Sequence, residues 1–296
     1  MASHSEIRQK ITAEIVAALQ AGTPPWRKPW INDPNAGFPT NIASKKRYSG
    51  INPLLLELTA KKHGLHSKWW GTWNQWQALG GQVKKRPDDI PAGQWGTKIV
   101  FYKPVTKVRK TAEGEEEQHD FFLLREYTVF NADQVEGVAL ESYRVRPGSP
   151  DASVNYQPAE AAIAATGADI RFGGNKAVYH RTRDFIECPH KEQFLDLPSY
   201  YDTIGHELAH WTEHRLGWQG SYALGELRAE IASCYLSSEL GIPLADRMES
   251  HAAYLDHWVN EMKADHGVIF RISSAASKAA DFILSFSRKE EEANAA

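Results

Sequence analysis

Residues 206–210 read His-Glu-Leu-Ala-His. On a helix, positions four apart stack on one face, so the His206 and His210 imidazoles can reach one ion. Glu207 falls on the adjoining face, where its carboxylate can take a proton from water at that ion. A hydrolytic zinc site takes a third protein ligand and keeps one position open. Fifteen residues separate His210 from Glu226, and Glu230 follows four residues later in Glu-Leu-Arg-Ala-Glu. One of this pair can bind the ion, and the other can accept a hydrogen bond from a ligand histidine and fix its ring. His214, another turn along the first helix, is a further candidate ligand, though catalytic sites favour a third ligand from a separate element. The chemistry of such a set is attack of activated water on a carbonyl, with the proton passed to a leaving amine. Tyr179, Tyr201, Tyr254 and His257 are candidates to steady the oxyanion, and the sequence does not choose among them.

A second chemistry is written in the first half. Seven of the ten tryptophans lie there: Trp26, Trp30, Trp69, Trp70, Trp73, Trp76 and Trp95. Basic residues interleave with them, as in Trp-Arg-Lys-Pro-Trp (26–30), Lys-Lys-Arg-Tyr (45–48) and Lys-Trp-Trp (68–70). Aromatic faces in a basic groove are what single-stranded nucleic acid binding requires. Trp69, Trp73 and Trp76 share helical spacing and are expected mostly in the core. The expected contacts are therefore Trp26, Arg27, Lys28, Lys45, Lys46, Arg47, Tyr48 and Asn52, most of them in stretches that read as loops.

Hydrophobic periodicity supplies the elements that must hold these residues. Helices are expected over 5–20, closed by Gly22, over 52–62, closed by Gly64, and over 72–79. The period then changes: 97–102 and 120–130 are rich in β-branched and aromatic residues and read as strands, with acidic 113–117 as a solvated loop between them. The Pro- and Gly-containing stretch 140–153 reads as a linker. A helix over 158–165 follows, then short strands near 170, 177–180 and 184–187. Further helices are expected over 200–215, 223–240, 248–264 and 273–286, punctuated by Gly217, Gly241 and Gly267. The division is 1–137 as a single-stranded DNA-binding domain, 138–155 as linker, and 156–296 as the metal-binding domain. The fold class is α+β throughout, with the second domain mainly helical around a small sheet.

Charge follows the same division. Of 296 residues, 1–133 hold 19 Lys and Arg against 13 Asp and Glu, a net +6. The rest hold 15 against 24, a net −9, so the overall −3 hides a basic half joined to an acidic one. The basic half suits a phosphate-bearing partner. No apolar run is long enough to span a bilayer, and the N-terminal stretch lacks the features of a secretory signal. Cys188 and Cys234 lie far apart and are expected as buried thiols in a reducing cytoplasm, with no membrane partner.

Two resemblances sharpen this reading. A helix bearing Glu226 and Glu230 after the His-Glu-x-x-His helix resembles the gluzincin, or thermolysin-like, zincin arrangement. That resemblance implies Glu226 as third ligand and Glu230 as the outer carboxylate, although the family pattern has Asp at the latter position. The second is carried by Gly-Thr-Pro-Pro-Trp-Arg-Lys-Pro-Trp (22–30), Tyr-Ser-Gly-Ile-Asn (48–52), Tyr-Tyr-Asp-Thr-Ile-Gly-His-Glu-Leu-Ala-His-Trp-Thr-Glu-His (200–214), Glu-Leu-Arg-Ala-Glu-Ile (226–231) and His-Ala-Ala-Tyr-Leu-Asp-His-Trp (251–258). Together these resemble plasmid antirestriction proteins of the ArdC type, and the first segments resemble the amino-terminal part of some conjugative primases. The resemblance implies a protein that binds single-stranded DNA and shields incoming plasmid DNA from host restriction enzymes during conjugation. It also implies a metallopeptidase-like domain with Zn2+, or another divalent metal such as Mn2+, and host restriction or defence proteins as candidate substrates. The alternative is a cytoplasmic zinc metallopeptidase that acts on protein substrates without binding DNA.

Overall fold

Ile7, Ile11, Ile15 and Leu19 recur at helical spacing and form the buried face of the first helix, α1 (His4–Gln20). The computed structural model describes residues 4–27, 33–110, 116–145, 154–243 and 252–295. After α1 come β1 (Thr40–Asn41), α2 (Asn52–His63), β2 (Trp69–Thr72), α3 (Trp73–Ala78) and β3 (Gln82–Val83). The long strands β4 (Thr97–Lys110) and β5 (Glu116–Asn131) and the short β6 (Val135–Glu136) complete the first half. One sheet has the order β1-β2-β5-β4, with β1 parallel to β2 and the other pairs antiparallel. A small second sheet pairs β3 with β6.

The sequence predicts a helix over 72–79, and the structure shortens it. Trp70–Thr72 pair with β5 as a strand, and Thr72 then caps α3 in a reciprocal arrangement with Gln75. The β4–β5 register runs from Thr97↔Val129 to Lys110↔Glu116, so both strands outgrow their expected limits. Glu116 and Glu117 therefore belong to a strand rather than to the acidic loop, and 113–115 lie outside the described residues. β4 is an edge strand, and unpaired edge groups invite stray pairing. The Asn52 side chain covers part of that edge: Oδ1 accepts from Val100 N, and Nδ2 donates to Val100 O, each at 2.9 Å.

The second half begins with α4 (Gln157–Ala165), followed by β7 (Ile170–Phe172), β8 (Val178–His180) and β9 (Phe185–Cys188), sheet order β7-β9-β8. The helices α5 (Leu197–Arg215), α6 (Tyr222–Leu240), α7 (Ala252–Ala264) and α8 (Val268–Ala295) follow. Asp196 and Ser221 cap α5 and α6 by accepting from backbone N–H groups. Gly241 closes α6 with φ +69°, a left-handed conformation that favours glycine. α8 reaches well beyond the expected 273–286 because its apolar spacing starts five residues earlier and no breaker intervenes. Among the described residues, no helix is long and apolar enough to cross a membrane.

Both halves share one hydrophobic cluster, in which Ile11, Trp26 and Leu54 join Ile204, Leu208, Ile231 and Ile283. Thr12 Oγ1 donates to His266 O at 3.0 Å across this junction. Part of the expected linker is also fastened. Val138–Tyr143 form a short 3-10 turn, Ser67 Oγ donates to Tyr143 O at 2.7 Å, and Arg144 donates to Val135 O at 2.6 Å. Residues 146–153 lie outside the described set. The α+β class holds, with helices dominating the second half.

Candidate metal centre

α5 and α6 must approach closely for ligands on both to meet. Gly205 permits this: a Cβ there would sit 3.0 Å from Ser233 Oγ of α6. The Arg228 side chain, 1% exposed, adds a tie by donating to Ala209 O at 2.9 Å and Thr212 Oγ1 at 2.5 Å.

With the helices so placed, His206, His210 and Glu226 bring one donor atom each within 4.8 Å of one another. The two Nε2 atoms lie 3.1 Å apart, Glu226 Oε2 is 3.4 Å from His206 Nε2, and Glu226 Oε1 is 3.5 Å from His210 Nε2. Two donors bonded at roughly 2.0–2.1 Å to one tetrahedral ion stand about 3.3 Å apart. Spacing and donor types therefore fit a zinc-like ion. Burial opposes charge on Glu226, but hydrogen bonds from His206 and His210 outweigh it and hold its carboxyl well below the usual range. Burial also opposes charge on His210, yet Glu213 and Glu226 outweigh it and push the imidazole up to about 9.

Surrounding groups fix this set. His210 Nδ1 is 2.8 Å from Glu213 Oε1, the carboxylate–imidazole contact that orients a ligand ring. The sequence predicts Glu230 in that role, but at His210 it is Glu213 that fills it. Glu230 Oε1 accepts from Arg27 Nε at 2.9 Å, and the same guanidinium lies 3.6 Å from Asp202 Oδ2. Asp202 also accepts from Ser233 Oγ at 2.8 Å. Glu207, 8% exposed, points its Oε2 at Tyr179 N of β8, 2.7 Å away. The backbone of edge strand β8 thus holds the candidate general base.

The oxyanion candidates separate by their partners. Tyr201 donates to Glu160, and Tyr179 donates to Asp184 at 2.8 Å. His257 lies 3.7 Å from Glu261, while His214 lies 3.4 Å from Tyr179 Oη. Tyr254 packs beside Tyr222, whose hydroxyl pKa is raised by hydrogen bonds to Tyr254 and Glu226, with burial adding to both. Sequence reasoning misses Tyr222. Its signal is spacing, one turn before Glu226, just as Glu213 stands three residues after His210.

The expected DNA contacts fare unevenly. Trp26 is 4% exposed and belongs to the main core, which corrects its placement in a free loop. Arg27 is engaged by Glu230 and Asp202, Tyr48 is buried with its hydroxyl accepting from Asn41, and Asn52 caps β4. A buried ring has no face to offer a base, and committed polar groups have little left to donate. Lys45 and Lys46 are exposed, with Lys45 Nζ 4.5 Å above the Trp69 ring. Arg47 is half-buried and reaches Asp281 at 2.5 Å. Lys28 lies outside the described residues. Of the three helically spaced tryptophans, Trp76 is fully buried but Trp73 is 48% exposed. Cys188 and Cys234 are both buried thiols, and burial pushes Cys188 up to about 12.

Comparison with known proteins agrees with both halves. Residues 5–130 match the N-terminal domain of anti-restriction factor ArdC, and 157–277 match a zincin-like metallopeptidase family. The crystal structure of antirestriction ArdC from plasmid R388, metal-free, superposes with a TM-score of 0.77 at 35% identity, covering 96% of this chain and 98% of that one. Its Mn(II)-bound form gives a TM-score of 0.73, covering 95% and 97% of the two chains. An uncharacterized protein, y4eC, of Sinorhizobium fredii is 34% identical over 94% of this chain and 92% of its own length. The Escherichia coli DNA primase TraC is 35% identical over 95% of this chain, but only 27% of the primase is covered. Matched in both halves, and over nearly the full length of y4eC and of the R388 protein, the chain belongs to the ArdC family of antirestriction proteins, with a zincin-like second half.

Proposed function

We propose that the protein binds single-stranded DNA and shields incoming plasmid DNA from host restriction enzymes during conjugation, while its second half carries a divalent-metal hydrolase centre. Functionally, 1–137 supply DNA binding, 138–155 connect, and 156–296 hold the metal, within one packed body. The observation that carries the metal half is the convergence of His206, His210 and Glu226 within 4.8 Å. Zinc suits the two-histidine, one-carboxylate set, and manganese is the second choice, since a relative's structure is described as Mn(II)-bound.

When bound, such an ion acidifies water and polarises a carbonyl. Glu207, oriented by the Tyr179 N–H, removes the proton from water and returns it to the leaving amine. The Tyr222 hydroxyl, beside Glu226 on the exposed side of the site, is the donor best placed to meet a developing oxyanion. Candidate substrates are host restriction or defence proteins. DNA binding is assigned to exposed Lys45 and Lys46, and to Lys28, with Arg47 at their margin. Trp26, Arg27, Tyr48 and Asn52 are committed to core packing, ion pairing or the β4 edge.

Two measurements on the full chain test the reading. Single-strand affinity should fall steeply as salt rises, because bound phosphates release counterions. Flat, salt-independent or absent binding sinks the DNA half and favours the peptidase alternative. Glu207→Gln should keep the metal and lower peptide hydrolysis by roughly 10²–10⁴-fold. If that variant still protects DNA, shielding rests on binding alone.

A further inference from the structure

The basic loop does not end where the first half ends. Gly50 N donates to Ser277 Oγ of α8 at 3.0 Å, and Arg47 pairs with Asp281 of α8. Beside these ties a cavity of about 640 Å³ opens between the loop, the β4 edge and α8, lined by Lys46, Gln75, Phe101 and Lys278 among others. Phe101 is 46% exposed there and packs edge-on against Tyr127, itself 43% exposed. Lys278, Ser274 and Phe270 also line a second cavity, of about 500 Å³, so the two adjoin along α8.

The second cavity has an unusual electrostatic make-up. Arg8 of α1, Arg228 of α6, and Arg271 and Lys278 of α8 all line it, with no acidic side chain among its described lining residues. Asp265 pairs with Arg271 at 2.7 Å and also feels the charge of Arg8, and the charge of Glu213 reaches Arg228. Arg228 forms the buried floor, and its Nε finds no hydrogen-bond acceptor. Four cations drawn from three helices, with no carboxylate in the described lining, make the wall of this concave site positive. Low-dielectric walls focus such a field and favour a phosphate-bearing ligand. An exposed aromatic at one end and cations along the other is the pairing that tracks a single strand.

We infer that the seam between the halves carries single-stranded DNA from the Lys45–Arg47 loop past Phe101 and onto α8, with backbone phosphates seated at Arg271 and Lys278. The inference rests on the DNA-binding reading and deepens it: half of the track belongs to the zincin-like domain. Phe101 supplies a stacking face, and Arg228 fixes the potential of the pocket floor. The metal ligands lie elsewhere on α5 and α6 and take no part.

The test uses the full chain and a labelled oligothymidylate, with affinity followed across salt concentrations. Arg271→Ala with Lys278→Ala removes two exposed cations and touches neither the metal site nor the core. Each phosphate-seating cation removed should flatten the slope of log affinity against log salt by about 0.7, so the double variant should flatten it by about 1.4. Metal content should be unchanged, which guards against misfolding, and Lys278→Arg should restore its share. Wild-type binding with an unaltered slope in the double variant overturns the seam track and leaves the DNA-binding reading standing. Absence of salt-dependent binding by the wild type overturns both. Competition by polyglutamate as strong as by DNA of equal charge also overturns the inference, because the surface would then be a general anion sink.

Discussion

Two sides of the α5–α6 pair use the same residue types for different ends. On one side His206, His210 and Glu226 converge as a candidate ion-binding set; on the other, Glu230, one turn after Glu226, joins Asp202 around Arg27. The first side is built almost entirely from two helices near in sequence. The second needs a partner 203 residues away. The difference teaches that a carboxylate's role is set by what packs opposite it. Glu226 faces an open pair of imidazoles, whereas Glu230 neutralises a cation brought in by the N-terminal segment.

The largest expected effect breaks the second side. Arg27→Met leaves two buried carboxylates without their cation, which should cost about 3–5 kcal/mol of stability. Thermal or denaturant unfolding measures this, and the salt slope of DNA binding in the folded fraction should stay at the wild-type value. A lower slope with unchanged stability would return Arg27 to the DNA surface and undo the comparison.

A smaller effect sharpens the first side. Glu213→Gln keeps the shape but weakens the hold on His210 Nδ1, and metal affinity should fall by roughly 10–100-fold. Chelator competition reads this directly. Glu230→Gln serves as the contrast: it should lower unfolding stability more than metal affinity. Equal losses of metal affinity in the two variants would make the two sides one unit.

The smallest effect lies at the edge of this pair. Burial opposes ionisation of Glu160, but hydrogen bonds from Lys191 and Tyr201 outweigh it and lower its pKa. A depressed carboxylate stabilises the fold above its unfolded value, about 4.3, and that contribution is lost as pH falls through the folded value. The group is 40% exposed, so screening keeps the contribution below about 1 kcal/mol. Glu160→Gln should therefore lower the melting temperature slightly at about pH 7 and make no difference well below the folded pKa. An equal loss at low pH would show that packing, not charge, is at work.

The convergence of His206, His210 and Glu226 was legible in the sequence because its grammar is local. A helix fixes the spacing of His206 and His210, and residues four apart on the next helix limit the third ligand to two choices. The helices over 5–20, 52–62, 158–165, 200–215 and 223–240 were legible for the same reason. The long hairpin reads short in the sequence, since its ends depend on pairing with β5 rather than on any local pattern. The aromatic, basic half was the least legible. The sequence expects Trp26 as a loop contact and Trp73 in the core, yet Trp26 is 4% exposed and Trp73 48%. Tyr48, in a stretch that reads as a loop, and Asn52, at the start of an expected helix, both read as contacts, but one is core and the other an edge cap.

What the sequence determined by itself is a two-histidine, glutamate-bearing helix, a second helix with paired carboxylates, a basic aromatic half, and membership in a recognisable family. What tertiary structure alone decided is which carboxylate faces the histidines at which distance, that Glu213 holds His210, and that Arg27 belongs to the interior. It also decided that Lys46 and Lys278, 232 positions apart in the chain, line one cavity. The physical reason is reach. Helical periodicity acts over a few residues and survives in any context, whereas burial, ion pairing and the shape of a groove depend on which distant segments come to lie against each other.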